Sequence, residues 1–331
     1  MFGYLVRRLI SAMLVIFMTS ILVFTLFFYG PSDPGLTLCE KSGRCTPERA
    51  ALIDKALGFD DPVTTQYAIY VKGVFAGRTI NIGGSAIDCP RPCFGISYTT
   101  RQPVSQILSQ RIPATVSIAL GGALIFFPLG LLLGVLAARK RGSATDRMLV
   151  GSSLVLSSIP YYLVALLAYL YLVLIWGVAP STSYTPITHN PVAWFTGLLL
   201  PWLVLGITNS TAYARFGRGS MVDSLSEDYV RTAKAKGLTQ RKVLIKHGLR
   251  AAIVPVLTIF GLDLASLLAG TVFTEQIFGI QGIGREALQA IGDQNFPVIS
   301  ATVLLAAVLV VAANVAVDVM YSVIDPRVRL S

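Results

Sequence analysis

Few residues in this chain could do chemistry, and their surroundings decide what that chemistry is. Two carboxylates, Asp263 and Asp318, fall inside long apolar stretches. Facing aspartates of this kind are what an intramembrane aspartyl protease uses. Yet the flanks Phe260-Gly-Leu-Asp263-Leu and Ala316-Val-Asp318-Val place no glycine after either aspartate. An ionised Asp at mid-bilayer costs about 2.5–3.5 kcal/mol on insertion scales, so it turns toward protein or water. Asp318 lies near one end of its stretch and suits pairing with Arg327 or a neighbouring basic loop. Asp263 lies deeper and suits lining a polar path, near a substrate ammonium.

Other catalytic signatures are missing. There is no Gly-x-x-x-x-Gly-Lys-Ser/Thr to cradle phosphates and no His-Glu-x-x-His to hold zinc. Of the two histidines, His247 sits in a basic run and reads as structural. No catalytic, metal or cofactor site is expected in the chain, so energy for any work must come from elsewhere.

What positions these residues is a membrane. Apolar residues make up 54% of the 331 and charged residues 13%, and mean hydropathy is +0.67. A soluble domain carries about 25% charged residues. The net charge of +10 does not indicate nucleic acid, because it falls in short blocks between apolar runs and forms no basic face interleaved with aromatics.

Six stretches are long enough to cross a hydrocarbon core of about 30 Å. They run near Leu5–Phe28, Ala114–Ala138, Met148–Trp176, Val192–Ala214, Ala251–Phe273 and Val298–Tyr321. The first is too long for a typical signal-peptide core and lacks a small-residue cleavage site, so it reads as a retained anchor. With the N-terminus cytoplasmic, the inside segments hold most of the Lys and Arg, including Arg139, Lys140, Arg141, Arg147 and the run from Arg215 to Arg250. The positive-inside rule therefore places both termini in the cytoplasm.

Residues 29–112 form an extracytoplasmic lobe that contains all four cysteines, Cys39, Cys45, Cys89 and Cys93. Thiols confined to the oxidising side read as disulfides. Three pairings are possible; the local loops Cys39–Cys45 and Cys89–Cys93 are the ones expected. No His accompanies them within that segment, which argues against zinc. One helix is expected near Pro47–Leu57. In the second span, Gly130 and Gly134 make a small-x-x-x-small pair that permits close helix contact. Pro128, Pro160, Pro201 and Pro255 are expected to interrupt their helices. Gly279–Gly284, with the amphipathic run from Arg285 behind it, reads as a re-entrant loop and a short helix.

The most informative segment lies inside, at 215–250. Ser226 is a plausible helix N-cap, with Glu227 and Asp228 in the first turn where the dipole favours anions. Lys234 and Lys236 sit in the last turn, and Gly237 is placed for the left-handed residue that ends the helix. Thr239 is placed to cap a second helix leading into the fifth span. The spacing predicts two short helices joined by a tight, exposed turn. From pattern alone this is either a docking knuckle or amphipathic helices resting on anionic headgroups.

The run Glu227-Asp-Tyr-Val-Arg-Thr-Ala-Lys-Ala-Lys-Gly237-Leu resembles the cytoplasmic loop of binding-protein-dependent ABC importers, closest to the dipeptide/oligopeptide and nickel permease group. Arg231-Thr232-Ala233 stands where the wider superfamily has Glu-Ala-Ala, and Ile245-Lys-His-Gly replaces its Ile-x-Leu-Pro ending. Tyr4-Leu-Val-Arg-Arg-Leu, Ser157-Ser-Ile-Pro-Tyr161, Glu275-Gln-Ile-Phe-Gly and Asp325-Pro-Arg-Val-Arg329 extend the resemblance over nearly the whole chain. Gln281-Gly-Ile-Gly284 departs from the usual Pro-Gly-x-Gly. The external lobe is similar to the insertion of B-type permease subunits.

The resemblance implies an all-α membrane protein of type I ABC importer permease fold. Its six spans would divide as an N-terminal helix (1–28), the Cys-containing lobe (29–112) and a five-helix core (113–331) with the coupling loop 215–250. It implies that Asp228, Tyr229, Arg231, Thr232, Ala233, Lys236, Gly237 and Leu238 meet an ATPase groove. The implied partners are a second homologous permease, two ATPase subunits that bind ATP and Mg, and an extracytoplasmic peptide-binding protein. Nickel or another small solute is the alternative cargo. A self-sufficient secondary transporter would instead show internal inverted repeats and coupling-ion sites, and neither is visible.

Overall fold

The computed structural model describes residues 2–28, 62–82 and 85–324, with positions 36, 39, 45–48 and 51 between the first two ranges. Of the helix expected near Pro47–Leu57, only Pro47, Glu48 and Ala51 are described, and all three are helical; the pairing expected for Asp318 lies outside the described side chains. The chain divides into two compact units: residues 1–5, 114–281 and 309–331, and residues 6–113 with 282–308.

The elements in order are α1 (Phe2–Phe28), α2 (Val63–Ala76), β1 (Arg78–Ile82), β2 (Ser85–Cys89), α3 (Val104–Arg139) and α4 (Ala144–Ser158). They continue with α5 (Tyr161–Ile175), α6 (Pro191–Ser226), α7 (Asp228–Ala235), α8 (Gln240–Ala269), α9 (Val272–Ile277), α10 (Ile283–Gly292) and α11 (Phe296–Ile324). Among the described residues, five helices are long and apolar enough to cross a membrane. The bent pair α4–α5 makes a sixth if it counts as one span.

That pair is the interruption expected at Pro160 in the third span. α4 and α5 meet at 87°. Pro160 donates no N–H and forces the residue before it out of helical geometry. Ile159 is accordingly extended, at φ −87° and ψ 126°. The other prolines behave differently: the helical backbone continues through Pro128, Pro201 and Pro255. α3 and α6 are also longer than the apolar stretches within them. Each has 36 residues, about 54 Å of helix, so each extends beyond the hydrocarbon core.

In the first unit, glycines let α3 lie directly on α6. A Cβ at Gly130 would sit 2.3 Å from the Tyr213 side chain, and one at Gly134 would sit 2.8 Å from both the Ala214 carbonyl and the Arg218 amide. The same seam continues through Gly121 beneath Trp202 and Gly122 beneath Leu205. Ala114, Ile118, Ala165, Leu198 and Phe278 are among the buried side chains of this core.

A buried carboxylate ties α4 to α6. Asp146 is 3% exposed and receives Arg218 through both oxygens, at 2.5 and 2.7 Å, and the Gly142 amide at 2.9 Å. Arg215 adds hydrogen bonds to the Ser153 carbonyl and the Ser157 hydroxyl, both at 3.0 Å. Fork-to-fork geometry of this kind is the strong form of the charged hydrogen bond. Asp146→Ala should cost about 2 kcal/mol, since it strands a partly buried guanidinium. Thermal unfolding of the detergent-solubilised chain should show a clear drop in Tm, with Asp146→Asn falling between it and wild type.

In the second unit, β1 and β2 form an antiparallel hairpin with Arg78 opposite Cys89 and Ile80 opposite Ile87. Cys89 is bonded to Cys93, and this disulfide packs with Ile80, Ile87 and Ile96. Cys39 is bonded to Cys45. Both pairings join cysteines that are near neighbours in sequence. Asn295, 3% exposed, donates to the Ser97 and Thr99 hydroxyls and accepts from the Tyr98 amide, which anchors residues 97–99 to the start of α11. On α2, Tyr67 packs on Phe17 and Phe24 of α1. Tyr70 touches Phe24 as well, and burial pushes its hydroxyl up to about 12.

Candidate coupling surface and in-span polar site

The expected knuckle is present, although its caps differ. α6 runs on through Ser226, so Glu227 rather than Ser226 stands at the N-cap of α7, without a side-chain cap bond. Ser226 instead donates to the Val222 carbonyl, and Thr239 makes no side-chain cap bond to α8. The physical reason is packing. Met221 and Leu225 of α6 lie against Gly248, where a Cβ would come within 2.8 and 2.9 Å of them, so the helix is held beyond the point where its capping residue would end it.

The far end of α7 closes as expected. Gly237 is left-handed, at φ +75°. Its amide donates to the Lys234 carbonyl, and the Leu238 amide donates to the Ala233 carbonyl. These two bonds make a Schellman motif, which satisfies carbonyls that the helix end would leave unpaired.

The predicted site residues separate by direction. Val230 and Ala233 are buried against Val243, so Ala233 holds the knuckle to its own chain. Tyr229 is 45% exposed, but its hydroxyl lies 3.1 Å from the Ser224 hydroxyl and 3.4 Å from the His247 carbonyl. Ser224 in turn donates to the Gly248 carbonyl at 2.9 Å. Asp228 pairs with Arg231 at 3.3 Å, with both side chains largely in solvent, a pair worth little. Thr232 donates to the Asp228 carbonyl. Arg231, Thr232, Lys234, Lys236, Gly237 and Leu238 form the exposed tip.

Residues 243–249, the start of α8, form a π-helical turn. Its His247 and Gly248 carbonyls are the ones that Tyr229 and Ser224 meet. The knuckle is therefore fastened to α6 and to α8. Spacing does reveal part of this arrangement, since Val230 and Ala233 lie three apart on one helical face. Ser224, Gly248 and the π-turn carry no such signal.

Within the spans, Asp263 accepts a hydrogen bond from the Tyr213 hydroxyl at 2.7 Å. Tyr213 is 1% exposed and lies against Phe126 and Phe127, with Phe260 on Phe127 at 4.5 Å. Glu275, unlike the partly exposed Asp263, is fully enclosed. It accepts from the hydroxyls of Thr115 at 2.7 Å and Thr271 at 3.0 Å. Beside it, the Thr274 and Tyr161 hydroxyls share a hydrogen bond of 2.7 Å, so polar contacts knit α3, α5 and α9 together. In the sequence Glu275 stood out only as part of a motif. One of the two threonines that satisfy it, Thr115, is 160 residues away in sequence.

Comparison with known proteins follows the same lines. Residues 130–330 match the family described as binding-protein-dependent transport system inner membrane component, and residues 1–119 match the N-terminal region of such membrane components. A probable peptide ABC transporter permease protein of Sinorhizobium fredii is 34% identical over 326 residues, covering 98% of this chain and 99% of that one. The dipeptide transport system permease protein DppB of Escherichia coli is 32% identical over 352 residues, covering 99% of each. Among solved structures, the inward-facing MetNI methionine ABC transporter aligns with a TM-score of 0.55 at 17% identity, over 67% of this chain and 97% of that one. That likeness concerns the fold. With matches spanning nearly its whole length, the chain belongs to the family of binding-protein-dependent transport system inner membrane components.

Proposed function

We propose that this chain is one of two homologous permease subunits of an ATP-driven importer that carries peptides across the cytoplasmic membrane. The observation that carries the reading is the knuckle: a short helix closed at Gly237 by a Schellman turn, exposed at its tip and fastened at its base to two long helices. A loop resting on headgroups has no need of such fastening. The naming of the similar proteins as peptide and dipeptide permeases supports the cargo class.

In this reading both termini and the knuckle are cytoplasmic, and the lobe with its two disulfides faces the oxidising side. Two ATPase subunits bind ATP and Mg, and an extracytoplasmic peptide-binding protein delivers cargo. The basic, exposed tip enters a groove on one ATPase subunit. Closure of the ATPase pair displaces the tip. Val230, Ala233 and the Tyr229–Ser224 contact pass the displacement to α6 and α8, because a packed interface shifts as a body instead of deforming.

The test is uptake of a labelled peptide into proteoliposomes. Uptake should require both permeases, both ATPases, the binding protein and ATP. Uptake by this chain alone, without an ATPase, would overturn the proposal.

A further inference from the structure

The exposed faces of the first unit differ in chemistry. Along α3 they present Leu120, Leu124, Leu132 and Leu136 at helical spacing, a ridge suited to acyl chains. Along α8 the exposed positions Ala251, Pro255, Thr258, Leu262 and Ser266 also share one face. Leu262 is the one large apolar residue among those five. Asp263 lies at the edge of this face, partly exposed. A carboxylate within a span does not front hydrocarbon; it fronts protein or a water-filled path.

The side chain is also held in place. Tyr213 donates to Oδ2 at 2.7 Å, and Tyr213 itself is buried between Phe126 and Phe127. That bond fixes the carboxylate and still leaves it acceptor capacity, since a carboxylate offers about four lone-pair positions. Ser266, exposed and three residues further along α8, puts a hydroxyl about one turn away.

We infer that Asp263 is a recognition site for the ammonium group of the cargo, the free N-terminus of a peptide in transit. The inference rests on the proposal that the cargo is a peptide. An ammonium leaving water needs an opposite charge to offset its desolvation. A single carboxylate, as Asp263 is on this face among the described residues, holds the group weakly enough to release it, as conduction requires. Tyr213 is a positioning residue that acts through Asp263.

The experiment uses the complete complex in proteoliposomes and compares a peptide with its des-amino analogue, which differs only in lacking the N-terminal ammonium. Uptake is read per ATP hydrolysed. Asp263→Asn should lower uptake of the free-amine peptide about tenfold, and Asp263→Glu should retain most of it. Wild type and Asp263→Asn should move the des-amino analogue at the same low rate. Tyr213→Phe should shift the ratio between the two peptides in the same direction by a smaller factor. Wild-type selectivity in Asp263→Asn would overturn the inference. So would loss of the second permease from the purified Asp263→Asn complex, which would make Asp263 a subunit contact. A wild-type complex that hydrolyses ATP but takes up no peptide would overturn the cargo reading, and this inference with it; normal uptake by Asp263→Asn overturns this inference alone.

Discussion

Replacing Gly237 by isoleucine is expected to cut ATP-driven uptake about tenfold or more, in line with the usual size of coupling energies between sites, while the chain still inserts. Gly237 sits at φ +75°, where a β-branched residue is strained by about 1–2 kcal/mol. Nothing lies within 4 Å of the position its Cβ would take, so no clash inside the chain blocks folding. The cost instead falls on the Schellman turn, and a changed turn presents the wrong shape to a groove. Gly237→Asn separates backbone strain from loss of glycine as such, because asparagine tolerates the left-handed region. It should keep most of the uptake. Peptide transported per ATP hydrolysed distinguishes the two variants, and equal, wild-type ratios for both would remove the turn from the mechanism.

The second large effect is structural. Gly134→Leu should leave little or no stable complex. Its Cβ would meet the Ala214 carbonyl and the Arg218 amide at 2.8 Å, and these are backbone atoms that no rotamer change can move. α3 and α6 would have to separate, at an overpacking cost of about 1–3 kcal/mol or more. The separation would also pull on Arg218, whose side chain holds Asp146. Gly151 provides the contrast, since nothing lies within 4 Å of its Cβ position; Gly151→Leu should give a normal yield of monodisperse protein on size-exclusion chromatography in detergent.

Much of this fold can be read from hydropathy because lipid imposes a simple rule on length and composition. The helices through Leu5–Phe28, Ala114–Ala138, Val192–Ala214, Ala251–Phe273 and Val298–Tyr321 follow from it. Where the helices end does not. α6 continues to Ser226 because Met221 and Leu225 find Gly248 to pack against, a partner that is distant in sequence. The break at Pro160 could be read as an interruption, but a proline does not specify an angle, and Pro128, Pro201 and Pro255 show that other helices absorb one.

The site was legible to different degrees. Gly237 announced its backbone because a helix closing on lysines and then glycine has few other solutions. Ala233 matched a motif as well as its neighbours did, yet it is buried with Val230 and Val243. The Tyr213–Asp263 bond links residues 50 apart, and no local pattern encodes such a pairing. The same holds for Glu275, whose threonine partner Thr115 lies 160 residues away.

In the proposed importer, the tip around Gly237 meets an ATPase subunit. Leu238 beside it is 37% exposed, and all four native cysteines are paired in disulfides. Leu238→Cys therefore introduces a single reactive thiol at the tip. Treating the complete, transport-competent complex with a short bifunctional crosslinker should join this chain to an ATPase subunit, with a yield that changes when ATP is added. A complex that still imports peptide but gives no ATPase adduct from Cys at position 238 would contradict the account.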